Sequence, residues 1–155
     1  MNNKILFADL DHTLLCDDKS ISEKNRAAIQ KMLERGHYFV LATGRPVESG
    51  RIVAKDLGLT SPGCYMIAFN GAWSMTAQQT VCFIKVHFQS RLRRRFLTGR
   101  IKRHLCADLQ YCRHCAKRHT KELDYYVERS HMTYKLTRRI SDCLDSEPQK
   151  VILIH

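Results

Sequence analysis

Residues that punctuate or stiffen a chain are scarce here: three prolines, seven glycines and one tryptophan in 155 positions. So little proline and glycine excludes a collagen-like or low-complexity chain. A hydrophobic share of 44% beside 26% charged residues excludes an intrinsically disordered one. No apolar run approaches the roughly 20 residues of a membrane span, so no membrane partner is expected. Met1 to Lys4 lead into a short apolar run that contains Asp9, which is not the pattern of a signal peptide. The cytoplasm is therefore the default compartment, and the seven cysteines are read as reduced thiols. Aromatic residues make up only 8% and are not interleaved with basic ones as a single-strand nucleic-acid binder requires. The length suits one domain of ordinary size.

Acidic residues are also scarce, 15 against 26 Lys and Arg, which leaves a net charge of +11. An excess of this size points to an anionic partner. It is confined to one stretch: residues 76–121 hold 12 Lys and Arg and the single acid Asp108, while the remainder holds 14 of each sign. The same stretch carries four cysteines (Cys82, Cys106, Cys112, Cys115) and four of the eight histidines. One third of the sequence thus differs in kind from the rest, and the two are read apart.

In the first 75 residues, Lys4 to Ala8 is an apolar run closed by Asp9-Leu10-Asp11. A run so apolar is expected to be a strand covered on both faces. Ser22 stands as a helix N-cap before Ala28, Ile29, Met32 and Leu33 at helical spacing, and Gly36 stops the helix. His37 to Ala42 is a second strand that ends at Thr43-Gly44-Arg45-Pro46. Pro46 opens a second helix, and Cys64 to Phe69 is a third strand ending at Asn70-Gly71. Strand, helix, strand, helix, strand predicts right-handed crossovers and an α/β fold with a doubly wound parallel sheet.

The polar residues fall where such a sheet binds ligands, at the carboxyl ends of its strands: Asp9, Asp11, Thr43, Gly44 and Asn70. Two carboxylates two residues apart can act as nucleophile and general acid/base, or hold a hard cation such as Mg²⁺. Thr43-Gly44 at a helix start offers a hydroxyl and backbone N–H groups to a phosphate. Together they point to phosphoryl transfer through an aspartyl-phosphate. Simpler roles compete: Asp9 and Asp11 as strand and turn caps, Thr43 as a helix N-cap, Asn70-Gly71 as a plain turn, Asp17 and Asp18 as loop acids. Arg45 is read as a structural or solvated charge, and His12 as exposed rather than catalytic.

Asp9-Leu10-Asp11-His12-Thr13-Leu14-Leu15 resembles the first motif of the haloacid dehalogenase superfamily, and Leu41-Ala42-Thr43-Gly44-Arg45-Pro46 resembles its second. Ile67 to Ala72 is similar to the stretch that leads into the cap domain of the Cof-type branch. The resemblance implies a Rossmann-like catalytic core, its N-terminal part in residues 1–75, followed by a partial or disrupted α+β cap in 76–155. It implies that Asp9 attacks phosphorus and binds Mg²⁺. Asp11 would serve as general acid/base and metal ligand, and Thr43 and Gly44 would hold phosphoryl oxygens, with Asn70 near the entrance of the site. The implied substrates are small phosphate esters such as sugar phosphates. His12 stands where the commonest family sequence has glycine, which puts a Cβ in a tight turn.

The basic segment admits three readings. Arg91, Arg93, Arg94, Arg95, Arg100, Lys102 and Arg103 could neutralise nucleic-acid phosphates, making residues 85–118 a binding module. Cys112, Cys115 and His119, with Cys106 drafted as a fourth ligand, could form a zinc knuckle. The favoured reading is a pair of compensating frame changes, because likeness to the family ceases near Met75 and resumes near Lys121. Leu123 to Val127 and Lys150 to Ile154 are then expected as strands of the cap. The later lysine and acidic motifs of the family have no counterpart, Asp142 and Asp145 lacking the setting, so the chain is expected to be C-terminally truncated and of low activity. Without the strands that follow in the family fold, Ile5 to Ala8 becomes an apolar sheet edge. Oligomeric state is not legible. Translating the other two frames of the coding DNA across residues 76–121 should reveal cap-like sequence; finding none removes the frame-change reading.

Overall fold

The computed structural model describes residues 2–77, 82–85, 104–108, 113–116, 118–140 and 150–154. The chain divides into two compact units, Met1–Lys85 and Val86–His155. The first contains β1 (Ile5–Asp9), α1 (Glu23–Glu34), β2 (Tyr38–Ala42), α2 (Val47–Asp56), β3 (Cys64–Ala68), β4 (Trp73–Thr76) and β5 (Cys82–Lys85). Strand β1 runs parallel to β2 and β2 parallel to β3, while β4 and β5 turn back antiparallel, giving one sheet in the order β1-β2-β3-β4-β5. The expected α/β arrangement is present, its parallel part confined to the first three strands. The first unit extends ten residues past the boundary expected after 75, because β4 and β5 continue the sheet on the far side of β3.

Local signals account for the helices. The Ser22 hydroxyl accepts the Asn25 amide at 3.2 Å, as expected of an N-cap, and α1 is closed by Gly36 at φ +78°. The apolar sides of α1 and α2 meet the sheet in a core built from Ile29, Val53, Ala54 and Leu57 against Phe39 and Leu41 of β2. Leu10, Leu14 and Leu15, just past β1, join this cluster and so tie the first loop to the core. A second cluster gathers Val47, Met66, Ala68, Phe69, Trp73 and Met75 where α2 approaches β3 and β4.

Strand β1 departs from its expected burial. Ile5, Leu6 and Phe7 are 56%, 47% and 60% exposed, so the strand is not covered on both faces. The cause is position. Among the described residues β1 pairs with β2 alone, which leaves it outermost in the sheet. An apolar run says that burial is favourable, but it does not supply the neighbour. The apolar edge expected at Ile5 to Ala8 is present.

The second unit contains β6 (His104–Asp108), β7 (Arg113–Ala116), α3 (Lys121–Ser130), β8 (Thr133–Leu136) and β9 (Lys150–Ile154), with sheet order β8-β7-β6-β9. The strand expected at Leu123 to Val127 is instead part of α3. The Thr120 hydroxyl caps the Leu123 amide at 3.1 Å, and Glu122 and Asp124 complement the positive end of the helix. Leu123, Val127 and Ser130 then fall on one side at helical spacing, with Leu123 and Ser130 buried. This period outweighs the strand preference of Tyr125, Tyr126 and Val127. Lys150–Ile154 is a strand as expected, antiparallel to β6.

Buried His114 on β7 meets the Ser130 hydroxyl through Nε2 at 2.9 Å, and that hydroxyl donates to the Val127 carbonyl at 3.1 Å. Cys16 and Cys64 are free, whereas Cys115 is disulfide-bonded, so the reduced state expected of all seven cysteines fails there. A compartment default is blind to which cysteines the fold brings together.

Burial contrast predicts opposite outcomes at two phenylalanines of adjacent strands. Phe39→Ala should cost about 3–5 kcal/mol of unfolding free energy and Phe7→Ala less than about 1 kcal/mol, read from denaturant melts. Phe7→Lys should reduce concentration-dependent self-association on size-exclusion chromatography, because a charge on an exposed strand opposes edge pairing.

Candidate active site

Parallel register brings the strand ends together. Asp9, the last residue of β1, lies beside Ala42 of β2, and Ala42 lies beside Ile67 of β3. The residues that follow each strand therefore share one edge of the sheet.

Beyond Asp9 the chain makes a wide turn through Leu10–Leu14, closed by the Leu15 amide donating to the Leu10 carbonyl at 3.0 Å. Buried Leu10 and Leu14 anchor it, and between them Asp11 is extended while His12 is left-handed at φ +61°. The backbone of His12 takes a conformation that glycine adopts freely and an L-residue only against Cβ crowding. This is the glycine position of the family motif, and the turn forms there with histidine.

After β2, the Thr43 amide donates to the Ile67 carbonyl at 2.8 Å and the Thr43 hydroxyl accepts the Arg45 amide at 3.1 Å. Thr43 is buried, and the N-cap of α2 is Pro46, so the threonine hydroxyl closes the turn before the helix rather than capping it. After β3, the Phe69 amide donates to the Arg45 carbonyl at 3.0 Å and the Asn70 amide to the Thr43 carbonyl at 3.2 Å. Asn70 is left-handed at φ +56°, and its side chain covers Gly44 so closely that a Cβ there would lie 2.5 Å from Asn70 Oδ1. Only glycine admits that approach.

The first and second loops are joined by an ion pair. Arg45 Nε donates to Asp11 Oδ2 at 2.9 Å and Nη2 to Oδ1 at 2.6 Å. The arginine side chain is 11% exposed and the aspartate 29%. Lys19 stands farther off, 3.9 Å from Asp11 Oδ1, on the exposed side. In the sequence Arg45 reads as a structural or solvated charge, with no sign that Asp11 is its partner. A partner 34 residues distant leaves no local signal. Asp18 is a loop acid as expected: the Ser20 hydroxyl and amide bond its carboxylate and hold its pKa below the usual range.

The five expected site residues thus lie along one edge of the sheet, Asp9 at the end of β1 and Asp11, Thr43, Gly44 and Asn70 in the segments that follow the strands. Asp9 is exposed at the strand end, and among the described residues no three or more His, Cys, Asp or Glu side chains form a metal-binding group. Mg²⁺ commonly takes one or two carboxylates and completes its shell with carbonyls, water and substrate phosphate, so the exposed Asp9 carboxylate together with the Asp11 backbone carbonyl fits it. The zinc-knuckle reading does not fit, since a disulfide-bonded Cys115 offers no thiolate and His119 Nε2 sits 2.8 Å from Asp124 Oδ1. Arg91 through Arg103, Cys112, Asp142 and Asp145 lie outside the described residues.

Paired aspartates at one strand end and a Thr-Gly-Arg turn at the next stand at the edge where open α/β sheets bind ligands. The family model for haloacid dehalogenase-like hydrolases matches residues 6–153, and the chain belongs to that family. A 5-amino-6-(5-phospho-D-ribitylamino)uracil phosphatase of Bacillus subtilis is 42% identical over 69 residues, which cover 44% of this chain and 24% of that protein. A haloacid dehalogenase-like hydrolase from Bacteroides thetaiotaomicron superposes with a TM-score of 0.81 at 17% identity, covering 99% of this chain and 59% of the other. A structure from Thermotoga maritima superposes at 0.78 with 26% identity, covering 100% and 57%. The chain therefore spans about a quarter of the curated relative and under three fifths of these structures.

Crowding at Gly44 predicts that Gly44→Ala costs about 1–3 kcal/mol, as overpacked sites do. Adding Asn70→Gly should recover most of that loss in denaturant melts, because it removes the atom the new methyl meets. At His12, glycine should be neutral or stabilising by up to about 1 kcal/mol, while His12→Val should cost about 1–2 kcal/mol.

Proposed function

We propose that the chain carries the nucleophile side of a Mg²⁺-dependent phosphatase acting on small phosphate monoesters, such as sugar or polyol phosphates, through an aspartyl-phosphate. The observation that supports it most is the joining of the loops after β1 and β2, by strand register at Asp9 and Ala42 and by the ion pair of Asp11 with Arg45. The relative named for a ribityl phosphate substrate fits that substrate class.

Asp9, exposed at the end of its strand, attacks phosphorus through a carboxylate oxygen, and the bond from phosphorus to the ester oxygen breaks. Asp11 gives its proton to that oxygen, releasing the alcohol. In the second step Asp11 takes a proton from water, whose oxygen attacks phosphorus. The bond to Asp9 breaks, orthophosphate leaves, and both carboxyl groups return to their starting state. The Gly44 amide and the Thr43 hydroxyl are the donors assigned to the phosphoryl oxygens. The hydroxyl already accepts the Arg45 amide, so its own proton remains to be donated. Mg²⁺, held by Asp9 and Asp11, supplies charge neutralisation when bound.

Hydrolysis of 4-nitrophenyl phosphate with Mg²⁺ tests the reading. Turnover is expected to be lost on chelation of the metal and reduced to background by Asp9→Asn. Turnover that survives Asp9→Asn refutes the nucleophile.

A further inference from the structure

We infer that Arg45 is the positioning residue for Asp11, fixing the plane of the proton-transferring carboxyl group by a two-point contact. This inference rests on the phosphatase reading and deepens it. Asp11 sits in a turn beside a left-handed residue and is partly open to water, so its carboxyl group would otherwise rotate about its side-chain bonds. Arg45 meets both oxygens at once, and a guanidinium fork on a carboxylate sets direction as well as distance.

The fork is itself held. The Arg45 amide donates to the Thr43 hydroxyl, its carbonyl accepts the Phe69 amide, Pro46 follows it, and its side chain is almost entirely covered. Orientation thus passes from the ends of β2 and β3, through Arg45, to a side chain on the loop after β1. Lys19 cannot replace it: one ammonium at 3.9 Å, 43% exposed, attracts the carboxylate without fixing its plane.

A two-point arginine takes one lone-pair site on each carboxylate oxygen. Nε and Nη2 are committed to Asp11, which makes Arg45 a residue that acts through Asp11 and not on the phosphoryl group.

Steady-state kinetics on the whole chain with 4-nitrophenyl phosphate and Mg²⁺ should show kcat falling on the order of 10²-fold in Arg45→Ala, with KM within about threefold. Arg45→Lys, which lacks the fork, should restore little. In an Asp11→Asn background the same Arg45→Ala change should cost less than about threefold, since what it positions is already gone. The Arg45 Nε–H resonance in ¹H–¹⁵N spectra should be protected from exchange in the native chain and lose that protection in Asp11→Asn. An equal cost in both backgrounds, an effect on KM alone, or an Nε–H signal indifferent to Asp11→Asn overturns the inference while Asp9→Asn still abolishes turnover. Native turnover no greater than that of Asp9→Asn overturns the phosphatase reading, and the role of Arg45 falls with it.

Discussion

Parallel pairing of β1 with β2 and of β2 with β3 is the constraint on which the site depends. Asp9 and Arg45 are 36 positions apart in the sequence and Asn70 is farther still. They come to the same edge because the strands point the same way and stop level, Asp9 against Ala42 and Ala42 against Ile67. An antiparallel partner would have set the start of one strand beside the end of the next and scattered these loops to opposite edges. The helical crossovers make the parallel pairing possible, and the core around Phe39, Leu41, Ile29 and Ala54 holds sheet and helices together.

On that frame the loops lock one another by short contacts. Backbone amides of Phe69 and Asn70 bond carbonyls in the Thr43–Arg45 turn, and Asn70 closes over Gly44. The fork of Arg45 then reaches the loop after β1. Each loop is supported by the next, so geometry at Asp11 is set partly by residues at the end of β3. Preorganisation of this kind is what phosphoryl transfer asks of a protein, since most of the catalysis is placement and charge.

Among the described residues β1 is outermost in its sheet, and its apolar side chains are exposed. The loop that follows is nonetheless well anchored, because Leu10, Leu14 and Leu15 turn inward immediately after the exposed strand. Exposure of the edge and order at the Leu10–Leu14 turn therefore coexist a few residues apart. In the second unit, β7 similarly combines a fully buried histidine with a disulfide-bonded neighbour, features that belong to packing and not to a metal site.

By itself the sequence determined the succession of strands and helices through Asn70, the cap at Ser22, and the five candidate residues at strand ends, because these follow from local periodicity and from short motifs. It determined the family for the same reason. Tertiary structure alone decided that residues 121–130 form a helix under the Thr120 cap and that Cys115 is not a free thiol. It alone assigned Arg45 to Asp11. Each of these depends on which segment becomes whose neighbour, and chain order does not encode that in any single stretch of residues.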